Sequence, residues 1–252
     1  MGYPNTLQGD HATPYETGSV QLYPLGQRLE CPNGLVFRYA QMGASVAGVI
    51  AKLYQSEVPG ANFDALAITT DIAVGDIKVA FANGVTVITE DMFEGGYLCV
   101  EETDDLGEPH RIRANTAHNG ISAEPVTAWL YDGDSFRTVV TVAANNVVTL
   151  VKSPYRGIIV HPSPPTAMVV GIPRVVIAVN AYGWVQTHGV ASCVTEGTLV
   201  IGQEVRPSVN ADGAVINLDY DGGVAGLGCV GRVIEVAPTT DFSHIFLTLE
   251  GA

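Results

Sequence analysis

At 252 residues, with 47% hydrophobic side chains, the chain can build two modest domains or one large β domain, and this composition is that of a folded protein rather than a disordered one. Its charged fraction is only 15%, against roughly 25% in soluble domains, so much of the surface is neutral or apolar and an assembly subunit is expected. The formal net charge of −14 repels polyphosphate, and no apolar run approaches the roughly 18 residues of a spanning helix; neither a nucleic-acid nor a membrane partner is expected.

Residues 1–24 are rich in Gly, Pro, Asn and Thr and show neither helical nor strand periodicity. Met1-Gly-Tyr-Pro lacks the basic start and apolar core of a signal peptide, so the protein is expected to stay in the cytosol where it is made. Tyr3, Leu7, Tyr15, Leu22 and Tyr23 stand alone in this polar segment. They predict an extended arm whose anchors dock on a neighbouring subunit, with a frayed terminus as the alternative.

Residues 25–60 open with Arg28-Leu-Glu-Cys and Leu35-Val-Phe-Arg-Tyr-Ala on either side of Pro32-Asn33-Gly34. Asn-Gly between apolar runs predicts a hairpin, because both residues tolerate positive φ. Val46, Val49, Ile50, Leu53 and Tyr54 then recur at helical spacing behind Ser45 and predict one short amphipathic helix, with an extended connection as the alternative. Val58-Pro59-Gly60 ends either element.

From 61 to 160, β-branched runs of strand length such as Ile77-Lys-Val-Ala-Phe, Tyr97-Leu-Cys-Val-Glu, His110-Arg-Ile-Arg and Val126-Thr-Ala-Trp-Leu alternate with turns at Asn83-Gly84, Gly95-Gly96 and Asp132-Gly133. Eight such runs predict a β-rich middle domain, a sandwich or barrel. The stretch His161-Pro-Ser-Pro-Pro-Thr reads as a stiff connector that marks a module boundary. An arrangement in which the N-terminal hairpin and the last segment pack together around an inserted middle domain is also compatible with this order.

Residues 161–252 read as glycine-punctuated short strands: Gly183-Trp-Val-Gln-Thr-His-Gly, Gly197-Thr-Leu-Val-Ile-Gly, Gly213-Ala-Val-Ile, Gly228-Cys-Val-Gly-Arg-Val-Ile-Glu-Val and His244-Ile-Phe-Leu-Thr-Leu-Glu. The cadence predicts a small C-terminal β-barrel, so the whole chain is expected to be all-β: barrel or sandwich modules, one short helix and an extended N-terminal arm.

Residues with chemical potential are scattered. Cys31, Cys99, Cys193 and Cys229 form no C-x-x-C pair and are expected to be reduced, buried thiols. None of His11, His110, His118, His161, His188 and His244 is paired at metal-ligand spacing, and no G-x-S-x-G elbow is present. Gly222-Gly-Val-Ala-Gly-Leu-Gly lacks the Lys-Ser/Thr of a phosphate loop. Asp132-Gly-Asp134, Asp219-Tyr-Asp221 and Glu101-Glu-Thr-Asp104-Asp105 read as solvated turns, with Ca²⁺ binding as the alternative. The expectation is a non-enzyme with no catalytic residue, metal or cofactor.

Two stretches carry a family resemblance. The C-terminal strings GTLVIGQEV, GCVGRVIEV and FLTLE resemble the small β-barrel of bacteriophage head decoration, or cement, proteins. RLECPNGLVFRYAQMGAS is similar to a G-x-R-x-E-x-x-x-G-x-x-F-R-Y-A pattern, here Gly26 to Ala40, that precedes the body of such virion proteins. Together the two cover about 90 residues and contain no enzyme motif. The resemblance implies a homotrimer on the exterior of the capsid, made in the host cytoplasm, whose partners are the major capsid protein and further copies of itself. The acidic charge suits the outside of a shell, away from packaged DNA. A receptor- or glycan-binding module of a tail fibre or tailspike is the alternative, with Trp129, Tyr131 and Trp184 as candidate sugar-stacking rings; the chain lacks the long repetitive shaft usual in fibres.

Overall fold

The computed structural model describes residues 4–45, 47–101, 107–121, 124–143, 145–219, 228–238 and 241–250. The protein is all-β. Two single 3-10 turns, Thr13–Tyr15 and Ala61–Phe63, are the sole helical elements among the described residues. The chain divides into two compact units, Met1–Val58 with Pro154–Ala252, and Pro59–Ser153. The cuts thus fall at Pro59 and Pro154, where the sequence suggested 61 and 161, and the segments read as 1–24, 25–60 and 161–252 contribute to one unit.

The first unit begins with β1 (Thr6–Gln8), β2 (Arg28–Glu30), β3 (Val36–Gln41) and β4 (Tyr54–Gln55). The Asn-Gly hairpin joins β2 to β3: Gly34 takes φ 76°, its N–H donates to the Cys31 carbonyl at 3.0 Å, and Leu29 faces Phe37. The helix expected behind Ser45 is absent. Val46 lies outside the described residues; the chain beyond it is extended, with Gly48 bridged antiparallel to Ile177 and Ala51 at φ 60°, which breaks a helical run. A Cβ on Gly48 would sit 3.0 Å from both the Ile177 Cβ and the Met42 Sδ. The glycine that costs a helix about 1 kcal/mol is thus what allows this segment to pair with a distant strand. Leu53 and Tyr54 are buried in the sheet, while Val49 and Ile50 are exposed.

The second unit holds β5 (Leu66–Ala67), β6 (Lys78–Ala82), β7 (Val87–Ile88), β8 (Tyr97–Glu101), β9 (Pro109–Asn115), β10 (His118–Asn119), β11 (Pro125–Leu130) and β12 (Val147–Val151). Six of them run in the order β5-β12-β8-β9-β11-β6, and a bridge from Ile68 to Phe81 joins the two ends into a nearly closed barrel. Strict alternation explains the closure: Val126, Ala128 and Leu130 of β11 face in with Ile112, Leu98 and Val148, and the residues between them face out.

The chain returns to the first unit with β13 (Ile159–Val160), β14 (Val169–Pro173), β15 (Tyr182–Val194), β16 (Glu204–Pro207), β17 (Val215–Asn217), β18 (Gly231–Glu235) and β19 (Phe242–Thr248). Its mixed sheet runs β1-β2-β3-β15-β19-β18-β16-β17, with β4, β13 and β14 attached beside β15. Trp184 and Val185 of β15 belong to different core clusters, so the first half of this 13-residue strand is covered on both faces and does not alternate. Its second half does. There Ala191 and Cys193 turn inward with Leu199, Val205, Val215 and Ile245, and a parallel bridge from Thr195 to Val215 curls the C-terminal strands back upon β15. The Pro-rich stretch is anchored within this unit: the backbone N–H and hydroxyl of Ser163 both donate to Asp212, at 2.8 and 2.7 Å.

Candidate interaction surfaces

The residues expected to dock on a neighbour divide into two kinds. Tyr3 lies outside the described residues. Leu7, opposite Leu29 in the parallel β1–β2 pair, and Tyr23 both pack against the chain's own core of Leu25, Phe37, Tyr39 and Trp184. The Tyr23 ring lies 5.2 Å from that of Tyr39 and 5.4 Å from that of Trp184. Tyr15 and Leu22 instead remain 51% and 59% exposed. The segment is tied down by backbone bonds, Gly9 to Glu30 at 3.0 Å and Gly18 to Tyr182 in both directions, so its isolated apolar residues act first as staples of its own fold.

Tyr15 opens onto a groove of about 520 Å³ lined also by Ile50, Pro173, Arg174, Val190 and His244. Arg174 spans it, donating to the Gln186 Oε1 at 2.7 Å and the Val190 carbonyl at 2.9 Å. The groove continues into the outward face of β15, β19 and β18. Register places Val190 opposite Phe246 and Val194 opposite Phe242, and Phe246 next to Arg232 on the other side. Phe242 is 50% and Phe246 39% exposed, and Ile234 and Val236 are exposed as well. His188 sets its ring edge-on to Phe246 at 5.2 Å. The result is a sheet face on which two outward apolar pairs, Val190 with Phe246 and Val194 with Phe242, are separated by Ser192 and the His244–Glu235 pair, while the inward side is packed. The signal was present in the sequence as Phe242-Ser-His-Ile-Phe246, where period 2 puts both rings on one side; period alone does not tell which side closes over the core.

Three of the histidines are engaged with groups of the chain itself. His110 is buried with its Nδ1 3.2 Å from Asp134, and the two ring nitrogens of His161 face the Pro162 and Ala214 carbonyls at 3.0 and 2.9 Å. His244 contacts Glu235 at 2.8 Å. No group of three metal-ligating side chains occurs among the described residues; Asp221, Asp104 and Asp105 lie outside them, and Asp132 is turned to solvent. All four cysteines are free, but Cys229 is exposed and Cys99 only half-buried, contrary to the expectation of four buried thiols. Burial pushes the Cys193 thiol up to about 12, which leaves it inert as a nucleophile.

Of the three rings considered for sugar stacking, Trp184 is core, 1% exposed, whereas Trp129 and Tyr131 are half-buried on the second unit. Comparison with known proteins finds no family model, no curated protein and no solved structure that matches this chain.

Proposed function

We propose that this chain is a virion structural protein of the capsid decoration, or cement, type: a homotrimer on the outer surface of the assembled phage head, bound to the major capsid protein, made in the host cytoplasm and without catalytic role or cofactor. The observation that carries this reading is the set of exposed apolar side chains Val190, Phe246, Phe242 and Ile234 on one sheet face of an otherwise acidic, low-charge chain. A closed symmetric assembly covers such a set by placing copies of the same face against one another. Tyr15 and Leu22, exposed on a segment that is itself anchored, are then left for the capsid protein. Further support comes from the two stretches that resemble decoration proteins, Gly26 to Ala40 and the C-terminal strands.

The mechanism is thermodynamic. A trimer that binds the assembled lattice and not free capsid subunits stabilises the lattice by mass action, and three linked contacts multiply modest single ones through their effective concentration. Quantitative mass spectrometry of purified particles tests the reading. Copy numbers in the hundreds, in a fixed ratio to the major capsid protein, are expected; about a dozen copies, the complement of a tail fibre, or none would overturn it.

A further inference from the structure

The outward face of the six-stranded barrel carries a second surface with different chemistry. Residues 59–153 hold five Lys and Arg against fourteen Asp and Glu, yet three of the five cations, Lys78, Arg111 and Arg113, gather on this face. Register sets them among aromatic rings. Lys78 stands directly opposite Trp129, and Trp129 opposite Ala114, beside Arg113. One row along, Arg111 stands opposite Tyr97 on one side, and on the other its guanidinium lies 4.6 Å above the ring of Tyr131. Neighbouring strands are about 4.8 Å apart, so cation and ring alternate at that spacing across β6, β11, β9 and β8.

A β-bulge completes the arrangement. Between Trp129 and Leu130 the partner on β9 jumps from Ala114 to Ile112, so Arg113 is the extra residue of the ladder. A bulge re-aims its side chain, and this one leaves Arg113 exposed, one residue along β9 from the partner of Trp129. Arg113 approaches Asp132 at 3.6 Å, with the Asp132 side chain almost wholly and the Arg113 side chain nearly half in water. A contact that long and that exposed is worth little and yields to a better carboxylate.

We propose that this face binds an acidic polysaccharide, with sugar rings stacked on Trp129 and Tyr97 and uronate carboxylates paired with Arg111, Arg113 and Lys78. Stacking on Tyr131 fixes the Arg111 plane while leaving its edge donors available for a bidentate carboxylate. The pattern favours a polymer with one charge per ring and an apolar ring face. A nucleic acid carries as many charges per unit, but its phosphates stand apart from the bases that stack, whereas a uronate bears its carboxylate on the stacked ring itself, as cations interleaved with rings at strand spacing require. A plain polyanionic peptide has no flat face to meet the indole. The site lies wholly within Pro59–Ser153 and does not depend on the capsid reading: it stands or falls on binding to the isolated protein.

Titration of the full-length protein with galacturonate, glucuronate-containing and alginate oligosaccharides, followed by calorimetry and tryptophan fluorescence, tests it. At least one of the three is expected to bind saturably, with dextran and polyglutamate at least about tenfold weaker. Arg113→Gln, an exposed position, and Trp129→Ala should each lower affinity about tenfold or more. Arg113→Gln is expected to keep the parent melting temperature, so the test survives if Trp129→Ala fails to fold. No saturable binding of any of the three at about 10 mM, equal binding of polyglutamate, tighter binding of oligo(dT), or unchanged affinity in Arg113→Gln would each overturn the proposal.

Discussion

Replacing Phe242 with lysine separates a ring held for the fold from a ring held for a partner. Phe242 is half exposed at the start of β19, opposite Val194. A phenylalanine offers about 200 Å² in all, so about 100 Å² faces water in the single chain. If a second copy covers that area, it contributes about 2.5 kcal/mol per subunit at 25 cal/mol per Å². Placing an ammonium there also incurs a desolvation cost, and the loss in association should reach about 3 kcal/mol per subunit, roughly 100-fold for each subunit and so on the order of a million-fold in the overall constant for assembling three. Within the chain the lysine stem can cover much of what the ring covered, at a cost of about 1 kcal/mol. Sedimentation equilibrium reads the first quantity and urea unfolding of the dissociated protein the second. The parent chain is expected to be trimeric at tens of micromolar and the variant to be monomeric there. Equal assembly of the two, or a monomeric parent, would refute the assignment of this face to self-association.

Three further outcomes are expected. A Cβ on Gly96 would collide with the Val151 backbone carbonyl where β8 meets β12; Gly96→Ala should cost upwards of about 3 kcal/mol and lower the calorimetric melting temperature by at least about 10 °C. Iodoacetamide at pH 8 should label exposed Cys229 within minutes and leave buried Cys193 unmodified until denaturant is added, as followed by intact-mass spectrometry. The Asp10 carboxyl, which accepts from the Thr13 N–H, the Thr13 hydroxyl and the Ala12 N–H, is held below its ordinary 3.8 by those bonds. Its contribution to the 10–15 turn is therefore present at neutral pH and lost as pH falls through the lowered value; NMR titration should find that acid transition in the parent and not in Asp10→Asn.

The parts of this fold that the sequence reveals are those fixed by neighbours in the chain. Asn33-Gly34 makes its hairpin because the turn needs positive φ there, and the alternation of 126–130 becomes an inward row of Val126, Ala128 and Leu130. The helix read at 45–54 failed for the opposite reason: its periodicity is real, but Gly48 has a partner at Ile177, well over a hundred residues away, that no local pattern displays. The proline-rich stretch depends on a distant partner in the same way. Its composition correctly gives an extended backbone, but whether that backbone links or is anchored depends on Asp212, which takes two hydrogen bonds from Ser163.

The candidate surfaces follow the same logic one level up. Alternation assigns residues to two faces of a strand, and only closure of the sheet decides which face is the core. For β19 both faces carry apolar residues, with Ile245 and Leu247 on one and Phe242 and Phe246 on the other, so which of them is exposed stays hidden until the bridge from Thr195 to Val215 shows which way the sheet curls. For β9 and β11 the faces differ in kind, Ile112 and Leu130 against Arg111 and Trp129, and their orientation is legible at once. The bulge at Arg113 is not: it sets Trp129 opposite Ala114 and leaves Arg113 as the extra residue of the ladder, and such an insertion is set by the partner strand rather than by the strand's own sequence. Isolated tyrosines and leucines in residues 4–24 posed the same ambiguity in a simpler form. An apolar residue in a polar segment is not told by sequence whether it packs into the chain's own core, as Leu7 and Tyr23 do, or keeps its side chain exposed, as Tyr15 and Leu22 do.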